Sequence, residues 1–171
     1  RDALFEQQFG IKPWSVTKHG GMKFIYINTM QGELWNISMG LNGSAGQEQL
    51  SWLDGELADG TPSLIFMHHP PSTVIEPEGQ ESIEDIIVKH DNVMAIFAGH
   101  VHLWVRSNEG DVPVYLTGAG YDGKAWHHVK ADPIEGTVTI LNEESIDYGE
   151  LETPECDPET HPAIADTQSI E

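Results

Sequence analysis

The stretch Val93-Met94-Ala95-Ile96-Phe97-Ala98-Gly99-His100-Val101-His102 is an apolar run that stops at a glycine and two histidines. Earlier in the chain, Phe66-Met67-His68-His69-Pro70-Pro71 stops in the same way. Apolar runs of this length read as buried strands. Histidines just past a strand end sit where open α/β sheets bind their ligands. Between the two runs, residues 82–90 carry Ile83, Ile86 and Ile87 on one face of a helix. Strand, helix, strand in this order is a parallel crossover, normally right-handed. It puts His68 and His100 at the ends of neighbouring strands.

A lone histidine at a strand end is most often an ordinary hydrogen-bonded polar residue. Here His100 and His102 are one residue apart, and extended backbone points residues i and i+2 to the same face. Gly99 can take backbone angles that other residues resist, so the chain can turn there and present both rings. Imidazoles that close repel one another when protonated, whereas a cation binds their neutral forms. His68, His100 and His102 together therefore point to a metal. His127 and His128 lie in a late strand where adjacent side chains face opposite ways, so at most one can reach the site. His19 in a turn, His90 at a helix end and His161 read as solvated.

Outward from this centre, residues 47–58 form the clearest helix, with Leu50, Leu53 and Leu57 at i, i+3 and i+7. Ser44 is its candidate start and Gly60-Thr61-Pro62 its stop. Residues 1–10 read as a short helix. Residues 14–17 and 22–28 read as strands joined by a turn at Lys18-His19-Gly20-Gly21, the second of them central. After His102, residues 103–107, 112–117, 125–129 and 137–141 read as a β-rich meander. The Gly-rich run 118–123 lacks the Lys-Ser/Thr of a phosphate loop and reads as a tight turn near the rim of the site. Residues 1–141 are expected to form the folded unit, and residues 142–171 an acidic, Pro-containing tail.

The chain has 171 residues, 39% of them hydrophobic, enough for one good core. Eight basic and 28 acidic residues give a net charge of −20. That argues against a nucleic-acid surface, which needs basic stripes, and against binding to anionic membranes. No apolar run is long enough for a transmembrane helix. A single cysteine, Cys156, leaves no intrachain disulfide and no cysteine-based zinc cluster.

Three elements, in order, carry a resemblance: Gly46-Gln47-Glu48-Gln49-Leu50-Ser51-Trp52-Leu53, then Met67-His68-His69-Pro70-Pro71, then Gly99-His100-Val101-His102. Over roughly residues 22–141 the chain resembles the C-terminal half of the calcineurin-like metallophosphoesterase superfamily, which includes purple acid phosphatases and cyclic-nucleotide phosphodiesterases. The fold this implies is α/β: half of a four-layer α-β-β-α sandwich, with mixed sheets and flanking helices. The chemistry it implies is hydrolysis of a phosphomonoester or phosphodiester by two transition-metal ions (Fe, Zn or Mn) about 3–4 Å apart. By resemblance, His68 and His100 hold one ion and His102 the other, while His69 faces the substrate or backs the ligands.

The family's earlier motifs, Asp-x-His, Gly-Asp-x-x-Asp and Asn-His, are absent from this sequence. Arg1-Asp2-Ala3 and the helix after it resemble the segment just downstream of the Asn-His motif. The amino-terminal half is therefore expected to be removed or carried on a companion chain, and this chain alone to be inactive. Two other readings stay open. One is a non-catalytic metal-binding or interaction module on the same scaffold. The other is a structural β-rich domain with incidental histidines.

Overall fold

A computed structural model describes residues 2–35, 41–119, 126–143 and 146. The elements run α1 (Asp2–Phe9), β1 (Ser15–His19), β2 (Met22–Tyr26), α2 (Gln47–Leu57), β3 (Ser63–Phe66), α3 (Ile83–Val88), β4 (Val93–Ala98), β5 (Val105–Glu109), β6 (Val112–Leu116), β7 (Val129–Asp132) and β8 (Thr137–Ile140). The first six strands form one mixed sheet in the order β1-β2-β3-β4-β6-β5. Strands β2, β3, β4 and β6 run parallel, and antiparallel β1 and β5 close the two edges. Their parallel direction brings the carboxyl ends of four strands to one edge of the sheet.

Successive strand residues point to opposite faces, so the apolar runs of β3 and β4 cover both. On one face Ile25, Ile65, Ile96, Val114 and Leu116 pack against Leu50, Leu53 and Leu57 of α2 and Ile83, Ile86 and Ile87 of α3. On the other, Leu64, Met94, Phe97 and Tyr115 meet Ile140 of the β7–β8 hairpin. Tyr26, Phe66, Phe97 and Tyr115 stack across that face, each ring centroid 5.4 Å from the next. Strand spacing sets this step. The fold is thus α/β, a mixed sheet flanked by helices. No helix among the described residues is long and apolar enough to cross a membrane.

Several sequence expectations shift. The segment after β4 is not a simple meander, because β6 inserts between β4 and β5. A hairpin can dock by either of its strands, and here the buried one, β6, pairs with β4 while the half-exposed β5 takes the edge. The strand expected at 125–129 begins instead at Val129, since the hairpin closes on Asp132. The Asp132 carboxylate accepts the N–H groups of Ile134 and Glu135, and Gly136 turns with φ 64°. Ser44 does not cap α2. The helix starts after Gly46 with no side chain capping it, and the Glu76 carboxylate from a distant loop holds the turn just before it, accepting the N–H of Ala45 at 2.6 Å and of Gly46 at 3.1 Å. The Gly-rich run from residue 120, Cys156, His161 and nearly all of the expected tail lie outside the described residues.

Candidate metal centre

Backbone hydrogen bonds carry the parallel ladder one step past the strands and so fix the histidines. Met67 N–H donates to Phe97 O at 3.0 Å, and Gly99 N–H to His68 O at 3.0 Å. His68 and His100 therefore leave adjacent strand ends side by side. His100 Nδ1 lies 3.3 Å from His68 Nε2, and its Nε2 lies 3.1 Å from Leu41 O. His69 completes a triangle of rings, tilted against His100 with centroids 4.2 Å apart and edge-on to His68 at 4.8 Å. His68, His69 and His100 form the one group among the described residues whose donor atoms all lie close enough, within 4.8 Å, to hold an ion.

The donor set fits a transition metal. Two imidazole nitrogens bound at about 2.0–2.1 Å with a tetrahedral angle between them stand about 3.3 Å apart. That is the separation the His68 and His100 nitrogens already have. His68 is also held below the ordinary imidazole pKa, first by desolvation and then by the nearby His100 and His102 charges. Each effect favours the neutral ring that a metal requires.

His102 is exposed and stands outside this group. Extended backbone would have carried it to the face of His100, but the segment curls. Val101 N–H donates back to Gly99 O at 2.9 Å, and His100 and His102 both take left-handed backbone, φ 71° and 58°. Non-glycine residues held there cost on the order of 1–3 kcal/mol each, and such strain gathers at functional sites. His102 still lies near enough for its charge to act on His68.

His69 is 2% exposed and tightly held. Its Nδ1 lies 2.7 Å from the Thr29 hydroxyl, which also accepts the His69 backbone N–H at 3.3 Å. A Cβ on Gly43 would come within 2.9 Å of the His69 ring, so only glycine fits beside it. Thr29, Gly43 and the Leu41 carbonyl were not among the sequence candidates. Thr29 lies just past β2 and stands at the same carboxyl edge, which is the signal that could have found it. The loop bearing Leu41 and Gly43 carries none.

A hollow of about 420 Å³ opens beside His68, walled by Phe66, Phe97, Thr117 and His127. His127 is the member of its pair that faces inward, while His128 is exposed. His90 is not simply solvated, since its Nε2 lies 2.8 Å from the Asp54 carboxylate. A larger hollow of about 730 Å³ lies at the opposite end of the sheet, where β4 begins, away from the histidines.

The family model of calcineurin-like phosphoesterases matches residues 4–103. The chain belongs to that family. It is similar to a probable cyclic nucleotide phosphodiesterase of Rhodococcus erythropolis, 32% identical over 83 residues, covering 42% of this chain and 27% of that protein. A probable glycerophosphodiester phosphodiesterase of Arcobacter nitrofigilis is 34% identical over 70 residues, 35% of this chain and 26% of its own. A probable cyclic nucleotide phosphodiesterase of Synechococcus is 32% identical over 71 residues, 36% of this chain and 28% of its own. The chain matches about a quarter of the length of each of these relatives.

Proposed function

We propose that this chain supplies the histidine side of a two-metal centre that hydrolyses phosphoesters, with a phosphodiester as the favoured substrate class. The reading rests above all on the paired imidazoles, His68 Nε2 and His100 Nδ1 at 3.3 Å, poised at the carboxyl edge of the sheet. Family membership and the phosphodiesterase names of the relatives support it. His68 and His100 would hold one ion and His102 the other, the ions being Fe, Zn or Mn. Bound ions there would polarise phosphoryl oxygens and make water a stronger nucleophile near neutral pH. His69, which lies beside His68 and His100, is assigned to the substrate.

Neutral imidazoles bring no negative charge, and two adjacent cations need carboxylates to bridge them. Among the described residues no carboxylate joins the histidine group. We assign the bridging aspartate and the amide ligand to further polypeptide bearing Asp-x-His, Gly-Asp-x-x-Asp and Asn-His, on the same protein or on a companion chain.

The test is metal content and turnover of an aryl phosphodiester with manganese or zinc bound, measured with and without the polypeptide that carries those motifs. Turnover should vanish on chelation. His100→Ala should weaken metal affinity by at least about tenfold, because even residues that merely back a ligand cost about 10- to 100-fold. An absence of turnover by the metal-loaded chain, once it is joined to that further polypeptide, would overturn the proposal. The missing carboxylate also favours a second reading, a non-catalytic one-ion module on the same scaffold. Metal stoichiometry separates them: two ions per protein for the enzyme, one for the module.

A further inference from the structure

The three clustered histidines are not equivalent, and the difference is set by a hydroxyl behind one of them. Thr29 is 1% exposed. Its oxygen accepts the His69 backbone N–H at 3.3 Å and lies 2.7 Å from His69 Nδ1. A threonine hydroxyl has one proton to donate, and a buried hydroxyl keeps that proton hydrogen-bonded. Among the described residues, His69 Nδ1 is the acceptor it reaches. Had Nδ1 carried the ring proton instead, the same oxygen would accept two N–H groups and its own proton would need another acceptor.

We propose that the Thr29 hydroxyl donates to His69 Nδ1 and so fixes the ring as its Nε2–H tautomer, which makes His69 a hydrogen-bond donor and not a metal ligand. Its neighbour His100 takes the opposite role. Leu41 O lies 3.1 Å from His100 Nε2 and can only accept, so that nitrogen carries the proton and Nδ1 turns its lone pair toward His68. One cluster thus holds both a lone pair for a cation and an N–H for an anion. A fixed N–H donor in a buried site suits an oxygen that gains negative charge during reaction. On a phosphoester that is a non-bridging phosphoryl oxygen or the leaving oxygen. Thr29 is a positioning residue, and Gly43 leaves the ring the space to take this pose.

The tautomer stands on the hydrogen bonds alone, whereas the role of the N–H in hydrolysis rests on the phosphoesterase reading. It is read in the metal-free protein by 15N NMR of the ring nitrogens, above the pH range where imidazole is protonated. The expected spectrum has His69 Nε2 protonated and Nδ1 bare. Thr29→Val, which removes the hydroxyl and keeps the shape, should release a mixture of tautomers, and Thr29→Ser should restore the original one. A second measurement counts zinc: His69→Ala should keep the wild-type stoichiometry, while His68→Ala and His100→Ala lose it. Turnover in Thr29→Val should fall about 10- to 100-fold. A proton on Nδ1, a tautomer unchanged in Thr29→Val, or an ion lost in His69→Ala would each overturn the proposal. A protein with the expected tautomer and no phosphodiesterase activity would sink the hydrolytic reading instead.

Discussion

His127 is half-buried in the wall of the hollow beside His68, its ring edge-on to Trp104 with centroids 4.9 Å apart. Burial pushes its pKa below the ordinary imidazole value, and a hydrogen bond with the Leu116 backbone offsets only part of that. The folded state thus takes up a proton there less readily than the unfolded chain. Below about pH 6.5 the unfolded state binds more protons, so stability falls as pH falls through that window. Urea midpoints measured from about pH 8 down to about pH 5.5 should decline, and His127→Gln should flatten part of the slope. His68, shifted in the same direction, supplies a further part. A slope identical in the variant would show that His127 contributes nothing. The sequence offered His127-His128 only as a pair of which one could face inward. Which one does so depends on where the β7–β8 hairpin begins, and that is set by Asp132 and Gly136 beyond them.

At the scale of the element, α2 shows how local pattern and distant contacts divide the work. Leu50, Leu53 and Leu57 announce the helix and its buried face, and Gly60, with φ 71°, ends the turn after it. The turn leading into it, Ala45 and Gly46, donates its N–H groups to Glu76, some thirty residues on, whose negative charge also suits the helix N-terminus. At the other end Lys23 of β2, only 2% exposed, pairs with Glu56 and Asp59 at 3.1 and 2.9 Å and also donates to the Glu56 carbonyl. Burial alone would lower the Lys23 pKa, but the hydrogen bonds to Asp59 and Glu56 outweigh it and hold the lysine charged. Glu76→Ala should cost about 1–2 kcal/mol in denaturant unfolding. Because the loop from 41 to 46 carries Leu41 and Gly43 to the histidines, the same change should weaken zinc binding. An unaltered unfolding curve would show that Glu76 does not hold this end of the helix. No neighbour of Ser44 in sequence could have revealed that contact.

At the scale of the whole molecule, the sheet brings residues 29, 41, 68, 69 and 100 to one edge, so a metal bound there should tighten the assembly that holds them. A ligand at about a hundred times its dissociation constant stabilises the folded state by about 2.7 kcal/mol. In a chain of this size that is a rise of roughly 5–10 °C in Tm. Zinc or manganese should produce it, EDTA should reverse it, and His100→Ala should blunt it. A Tm indifferent to metal would count against any ion at this edge. The sequence by itself determined the strands β3 and β4, the helices α2 and α3, and the placement of His68 and His100 past two strand ends. Those features arise from apolar periodicity and from where each run stops, which are properties of neighbouring residues. Only the tertiary structure decided that β6 separates β4 from β5, that His100 curls into left-handed backbone, that His69 and not His102 joins the cluster, and that Thr29 stands behind it. The curl at His100 closes on a bond within its own turn, Val101 N–H to Gly99 O; the other outcomes depend on hydrogen bonds and packing between residues far apart in the chain, which no local pattern encodes.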